Sequence, residues 1–149
     1  MISSVLIIAF SFVLLVYWFR YTCILILRTR TSVDYSPDVV AANNLLFPEV
    51  QTQLAHAMTA PQLNALHESL ARDYRLLTYL LRHTAGLSID GFPLEQRVLM
   101  IDFRVMQVLY ALTNGLGLPQ ARVALEEMAQ ILRHFSNAMG ERAAANSRA

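Results

Sequence analysis

The sequence contains a single cysteine, Cys23, and none of its 12 basic residues is a lysine. One cysteine cannot form an intramolecular disulfide, and it excludes a zinc site built from several cysteines. The formal net charge of +1 gives no support for general binding to nucleic acids. The use of arginine alone fits a GC-rich, bacterial coding sequence, and we interpret Cys23 as a small apolar residue.

Charged residues are also scarce, at 15% of the chain against roughly 25% in an ordinary soluble domain. A nearly continuous apolar run from Ile2 to Leu27 contains a single charged residue, Arg20. Residues 2–19 alone would form a helix about 27 Å long, close to the thickness of the hydrocarbon core of a bilayer. The run has neither a basic start nor a small-residue cleavage site, so we predict a retained transmembrane anchor over residues 1–28.

Residues that favour the membrane interface lie in the second half of this run: Tyr17, Trp18, Arg20, Arg28 and Arg30. The span could end at the first three of these residues, or a longer, tilted span could end between Arg20 and Arg28. We prefer the longer span because residues 21–27 are apolar on every side of a helix. Basic residues flank only this end, so the positive-inside rule predicts a bacterial inner-membrane protein with its N-terminus outside and residues 31–149 in the cytoplasm.

Residues 29–59 are interpreted as a juxtamembrane linker with short helices. Ser36 and Pro37 resemble a helix start, with serine as the N-cap and proline at the first helical position. We therefore expect a short helix over about 37–47 and a further turn or two over 48–57.

Residues 60–140 contain three long patterns of helical periodicity. Thr59 and Gln62 have the spacing of a capping box at the start of the first helix. The connections between the helices are short, which predicts antiparallel neighbours. Gly140 is expected to end the third helix and to leave residues 141–149 as a disordered tail.

The second helix begins after Pro93 and ends near Gly115, whereas Gly86 is expected to end the first. Its main apolar stripe consists of Leu94, Val98, Ile101, Val105, Val108 and Leu112. A second set of apolar residues widens this stripe: Leu99, Met100, Phe103, Met106, Leu109 and Tyr110. So broad an apolar surface predicts a central helix that packs on two sides.

Together these patterns predict an all-α chain, with one N-terminal transmembrane helix followed by a small antiparallel bundle of three long helices plus a short pre-helix. The expected function is a non-enzymatic interaction module, or an accessory subunit of a larger membrane assembly. Its expected partners are the lipid bilayer and either another protein or a second copy of the chain. The candidate partner surface is Met100, Phe103, Met106 and Tyr110.

No pattern in the sequence predicts a catalytic, cofactor-binding or metal site. The four histidines do not occur as Glu-x-x-His or His-x-x-x-His, the spacings that place two metal ligands on one face of a helix. The alternative function is a membrane-tethered enzyme or ligand sensor with a pocket between its helices. The first candidates for such a site are His67, Asp73, His83 and Arg104.

Overall fold

The computed structural model describes the chain apart from residues 30–32, 57–58, 85–91, 118 and 149. All regular structure in this described part is helical, which confirms the predicted all-α class. The helices are α1 (Ile2–Arg28), α2 (Ser36–Asn43), α3 (Phe47–Leu54), α4 (Ala60–Thr84), α5 (Leu94–Gly115) and α6 (Gln120–Arg148). The chain divides into two compact units, Met1–Arg30 and Thr31–Ala149.

The first unit is a single helix whose large apolar side chains are exposed. Val5, Phe10 and Leu15 each expose about two thirds of their surface. The helix continues without a break past Arg20 and has Arg28 in its last turn. Among the described residues, α1 is the one helix that is long and apolar enough to cross a membrane.

In the second unit, α6 is the central helix. The other four helices of this unit all pack against it, and α3 also packs against α4. The buried side of α6 extends from Ala121 to Gly140 and includes Leu125, Met128 and Phe135. The sequence-based prediction that α5 is central is therefore wrong, since α5 packs mainly on α6 and leaves much of its own surface in contact with solvent.

Small residues on α6 explain how it accommodates so many neighbours. Ala124, Ala129 and Ser136 are fully buried, and short side chains allow other helices to come close. At Gly140 the approach is so close that an added Cβ would overlap the Cβ of Tyr35. Gly140 therefore does not end the helix as predicted; α6 continues to Arg148, so the expected disordered tail is helical as far as it is described.

The long helices are antiparallel to their neighbours, as the short connections predict. Asn64, near the start of α4, lies next to Tyr110 near the end of α5. Tyr74, further along α4, stacks on Phe103, which comes earlier in α5. Gln96 at the start of α5 accepts a hydrogen bond of 3.1 Å from Arg142 near the end of α6.

The chain enters the bundle along the side of α6. The backbone N–H of Tyr35 donates to Oδ1 of Asn137 at 2.7 Å. Asp34 accepts from the N–H of Ser36 at 3.0 Å through Oδ1 and from Arg133 at 2.6 Å through Oδ2. Ser36, the predicted N-cap, is thus the first helical residue of α2, and the Asp34 carboxylate supplies the acceptor in its place.

Other predicted helix ends agree with the structure in part. The side chain of Gln62 accepts from the N–H of Thr59 at 3.1 Å, which is one half of the predicted capping box. The turns expected over 48–57 correspond to α3. Gly86, the expected end of the first long helix, lies outside the described residues.

Candidate functional site

Helix α5 has two apolar faces that differ in their surroundings. Its inner face lies in the bundle core, where Leu99, Phe103, Met106 and Tyr110 are at most 3% exposed. Its other face, here called the outer stripe, consists of Leu94, Val98, Ile101, Val105, Val108 and Leu112. Val98 is half-buried, and the other five side chains are between 41% and 74% exposed. Scattered apolar residues on a surface are ordinary, but a contiguous row along one helix indicates a contact site.

The expected partner surface therefore needs correction. Phe103, Met106 and Tyr110 form part of the core, and Met100 is half-buried beside them. These side chains could reach a partner only if the bundle opened. The surface of α5 that is accessible in the folded unit is the outer stripe, which is the main apolar stripe seen in the sequence.

The spacing of the outer stripe is that of a coiled-coil seam. Successive members are separated by four, three, four, three and four residues. This is the heptad pattern, in which Val98, Val105 and Leu112 occupy the a positions and the other three residues occupy the d positions. The stripe is about 27 Å long at 1.5 Å per residue. Arg97 and Arg104 lie at g positions on one flank, and both are exposed.

Aromatic contacts on the inner face fix the rotation of α5 and thereby present the outer stripe. Tyr74 of α4 stacks on Phe103 with ring centroids 4.0 Å apart and planes 6° from parallel. The guanidinium carbon of Arg104 lies 5.6 Å from the centroid of the same tyrosine ring. This cation–π contact places the guanidinium group itself over the edge of the bundle, although Arg104 as a whole remains exposed. Arg104 also donates to Oε1 of Gln107 at 3.4 Å.

A polar cluster holds the C-terminal half of α5 against α4. The ring of His67 stacks on that of Tyr110, with centroids 4.5 Å apart. Oδ1 of Asn64 accepts from the Tyr110 hydroxyl at 2.6 Å and from the Asn114 amide at 2.9 Å. Burial raises the pKa of Tyr110, so the hydroxyl keeps the proton that it donates.

The electrostatics of His67 favour its neutral form. Burial lowers the pKa of His67, and the charge of Glu68 opposes this only in part. Its Nε2 atom is buried without a hydrogen-bond partner among the described residues. A neutral ring stacked on tyrosine is compatible with that environment, whereas an imidazolium would require a solvent contact or an acceptor. The polar cluster therefore holds α4 and α5 together.

The other three candidates for an enzymatic or sensory site also have structural partners. Oδ2 of the fully buried Asp73 accepts the N–H groups of Leu46 and Phe47, at 2.6 and 2.8 Å, and so caps the start of α3. Burial raises the pKa of Asp73, and these two hydrogen bonds partly oppose the rise. The ring of His83 lies 3.9 Å from that of Tyr79, with Nδ1 2.9 Å from the carbonyl oxygen of that residue.

Comparisons of the chain with protein-family models, with curated proteins and with solved structures found no match. Within the described part of the chain, no three His, Cys, Asp or Glu side chains are grouped in a way that could hold a metal ion.

Four of the five residues predicted at the membrane interface lie on α1. Tyr17 and Trp18 are both exposed, with ring centroids 6.2 Å apart, and Trp18 also lies 6.0 Å from the ring of Tyr21. These three aromatic side chains form one cluster on the helix. Arg20 is half-exposed, Arg28 is exposed, and Arg30 lies outside the described residues.

Proposed function

We propose that the chain is a single-pass membrane protein whose helical unit is an interaction module, or an accessory subunit of a larger membrane assembly. The observation that carries this proposal is the outer stripe of α5. The bundle has a complete core of its own, built around α6, and still presents six aliphatic side chains in register along one helix. A row of this kind is stabilised when another molecule covers it.

The proposed anchor is α1, in a bacterial inner membrane. Its 27 residues exceed the roughly 20 that span a bilayer, so a tilted span is proposed. The aromatic cluster at Tyr17 and Trp18, with Arg20 and Arg28 beyond it, suits the headgroup region. In this arrangement the N-terminus faces outward and the bundle lies in the cytoplasm.

An interaction role is favoured over catalysis by what the reactive side chains do. Asp73 caps a helix, and His67 stacks on Tyr110 in the polar cluster between α4 and α5. Two of the side chains that could supply acid or base groups thus have structural roles in the bundle.

A fractionation experiment tests the anchor and its direction. The full chain is expressed in a bacterial host with a C-terminal fluorescent protein that matures only in the cytoplasm. We expect fluorescent cells, and a chain that stays with the membranes after an alkaline carbonate wash. A dark, exported reporter would contradict the orientation, and release of the chain by the wash would contradict the anchor.

A cross-linking experiment tests the interaction role. A photoreactive amino acid replaces Val108 on the outer stripe or, as a matched control, the exposed Arg75 of α4. We expect irradiation of the native host to give one discrete cross-linked species from position 108 and none from position 75. The chain purified in mild detergent should likewise have a native mass above that of the monomer. A strictly monomeric chain without cross-links would refute the proposal.

A further inference from the structure

The two flanks of the outer stripe differ in charge and in accessibility. On the g side, Arg97 and Arg104 are exposed and seven residues apart, so both lie along the same line of the helix. On the e side, Asp102 is fully buried and Leu109 is half-buried, because this side turns into the bundle. A helix laid along the stripe would therefore meet a charged flank on one side only, and that flank is basic.

The one exposed acid of α5 does not change this picture. Glu95 lies in the first turn, on the e side of the stripe. It is close enough to His134 of α6 for its charge to raise the pKa of that histidine, against a larger lowering by burial. Glu95 is thus directed toward α6 and away from the arginine flank.

We propose that the outer stripe of α5 binds one amphipathic helix of a different protein, with heptad spacing and with acidic residues on the side that faces Arg97 and Arg104. The proposal rests on the interaction role above and specifies the chemistry of the partner. In coiled coils, charges at e and g positions select partners through opposite charges on the facing helix. The apolar seam supplies contact area, and the two arginines supply selectivity and direction.

A second copy of the chain fits this surface poorly. In an antiparallel pair the g positions face each other, so the two Arg104 side chains would meet near the two-fold axis, and like charges there oppose association. In a parallel pair Arg97 and Arg104 would face the e positions, and those side chains are turned into the bundle.

A lipid surface also fits poorly. The a and d positions lie only about 60° apart around the helix, whereas an amphipathic helix in a bilayer interface has a broader apolar face. The outer stripe contains no tryptophan or phenylalanine, the residues that such helices place in the acyl boundary.

Peptide binding tests the proposal directly. Two fluorescein-labelled peptides of three heptads carry isoleucine at a and leucine at d, with glutamate at every e and g position in one and arginine in the other. Like charges at e and g keep each peptide from pairing with itself. The full chain, one copy per lipid nanodisc, is titrated into each peptide, and fluorescence anisotropy reports binding. Empty nanodiscs control for lipid binding.

We expect saturable binding of the acidic peptide, at least about tenfold tighter than that of the basic peptide, since two charge pairs change sign between them. Higher salt should narrow the difference. The double variant Arg97→Glu with Arg104→Glu should reverse the preference, whereas the control Arg75→Glu on α4 should leave it unchanged. Ile101→Ser with Val108→Ser should abolish binding of both peptides, while Tyr79→Ser, another exposed site, should not. Circular dichroism confirms that each variant is folded.

Three results would overturn the proposal: equal binding of the two peptides, no binding of either, or a preference that the double charge reversal leaves intact. Equal binding would indicate an unselective apolar surface. If binding appears in neither case and nanodiscs with two copies show a cross-link between Val108 positions, the occupant is a second copy. Failure here leaves the anchor and the native cross-link unaffected, because those are measured without peptide. If the chain does not enter nanodiscs, it is titrated without them. The peptide measurement then remains valid even though the proposed anchor has failed.

Discussion

Helices α5 and α6 are neighbours, yet they have opposite roles in the bundle. The more apolar of the two, α5, contacts the core with one face and leaves an aliphatic row in solvent. The less apolar, α6, is surrounded by four helices. Apolar content therefore does not identify the central helix here. What distinguishes α6 is its series of buried small residues, which allow neighbouring helices to pack close to it.

The difference also bears on function. Bulky aliphatic residues on both faces of α5 exceed what the inner contact requires, whereas α6 buries most of its apolar side chains between Ala121 and Gly140 and exposes only Val123 among its large ones. A helix that serves only its own fold resembles α6. The proposed contact outside the unit would account for the second apolar face of α5.

The same substitution, leucine to alanine, on each face of α5 shows how much each face contributes to the stability of the unit. Leu99→Ala removes a fully buried side chain and should lower the free energy of unfolding by about 2–5 kcal/mol. Leu112→Ala, at a position 64% exposed, should change it by less than about 0.5 kcal/mol. Urea unfolding of the full chain in mild detergent, followed by near-ultraviolet circular dichroism, measures both. Similar losses at the two positions would mean that both faces are buried and that the comparison fails.

The close packing of α6 can be tested by adding one methyl group. Gly140→Ala forces Tyr35 and α6 apart and should destabilise the unit by about 1–3 kcal/mol, the usual cost of overpacking. The matched control is Gly115→Ala at the end of α5, where an added Cβ meets nothing within 4 Å. That change should be neutral or stabilising by up to about 1 kcal/mol. A neutral Gly140→Ala would show that small residues do not set the packing of α6.

Acid should weaken the polar cluster between α4 and α5. Burial lowers the pKa of His67 below its ordinary value of 6.5, so the folded unit favours the neutral ring. The resulting stability is fully present above pH 6.5 and is lost as the pH falls toward the lowered pKa. We expect a decline in stability between pH 7.5 and pH 5 that is shallower in His67→Gln.

The histidine effect must be separated from other titrating groups. His134 acts in the same direction, because burial lowers its pKa too. Asp73 acts in the opposite direction, because burial raises its pKa and acid then stabilises its protonated form. Both are unchanged in His67→Gln, so the difference in slope between that variant and the native chain isolates His67. Identical slopes of stability against pH in the two proteins would exclude a contribution of His67 to the acid sensitivity.

The smallest effect is expected at the rim of α6. Arg133 and Asp34 form an ion pair at 2.6 Å, but both side chains are substantially exposed. Arg133→Gln should cost no more than about 1 kcal/mol, and less at high salt. The same urea experiment measures it, with Arg75→Gln as an exposed control outside the pair. A larger loss would indicate that the entry of the chain along α6 depends on this contact.

Much of this architecture could be predicted from the sequence. Helical spacing, the Thr59–Gln62 start of α4 and the apolar run of α1 depend on local patterns, which a single sequence displays. Gly140 was misread because glycine ends many helices, and only the position of Tyr35 in three dimensions reveals the close approach that requires it here.

The spacing of the outer stripe is visible in the sequence, but the sequence predicts the partner surface on the other apolar face of α5. By hydropathy alone, either apolar face of α5 could be the one that packs in the core. In retrospect, the inner face has both aromatic residues of α5, Phe103 and Tyr110, which need partners such as Tyr74 and His67. The identity of those partners depends on how α4 folds back along α5, and a local sequence pattern does not show this.

The junction at Asp34 and Tyr35 has a mechanical consequence. The segment that follows α1 is joined first to α6, through the hydrogen bond to Asn137 and the tight fit at Gly140. A force applied at Asp34 would therefore act on α6, the central helix, at the same time as on α2, which begins at Ser36.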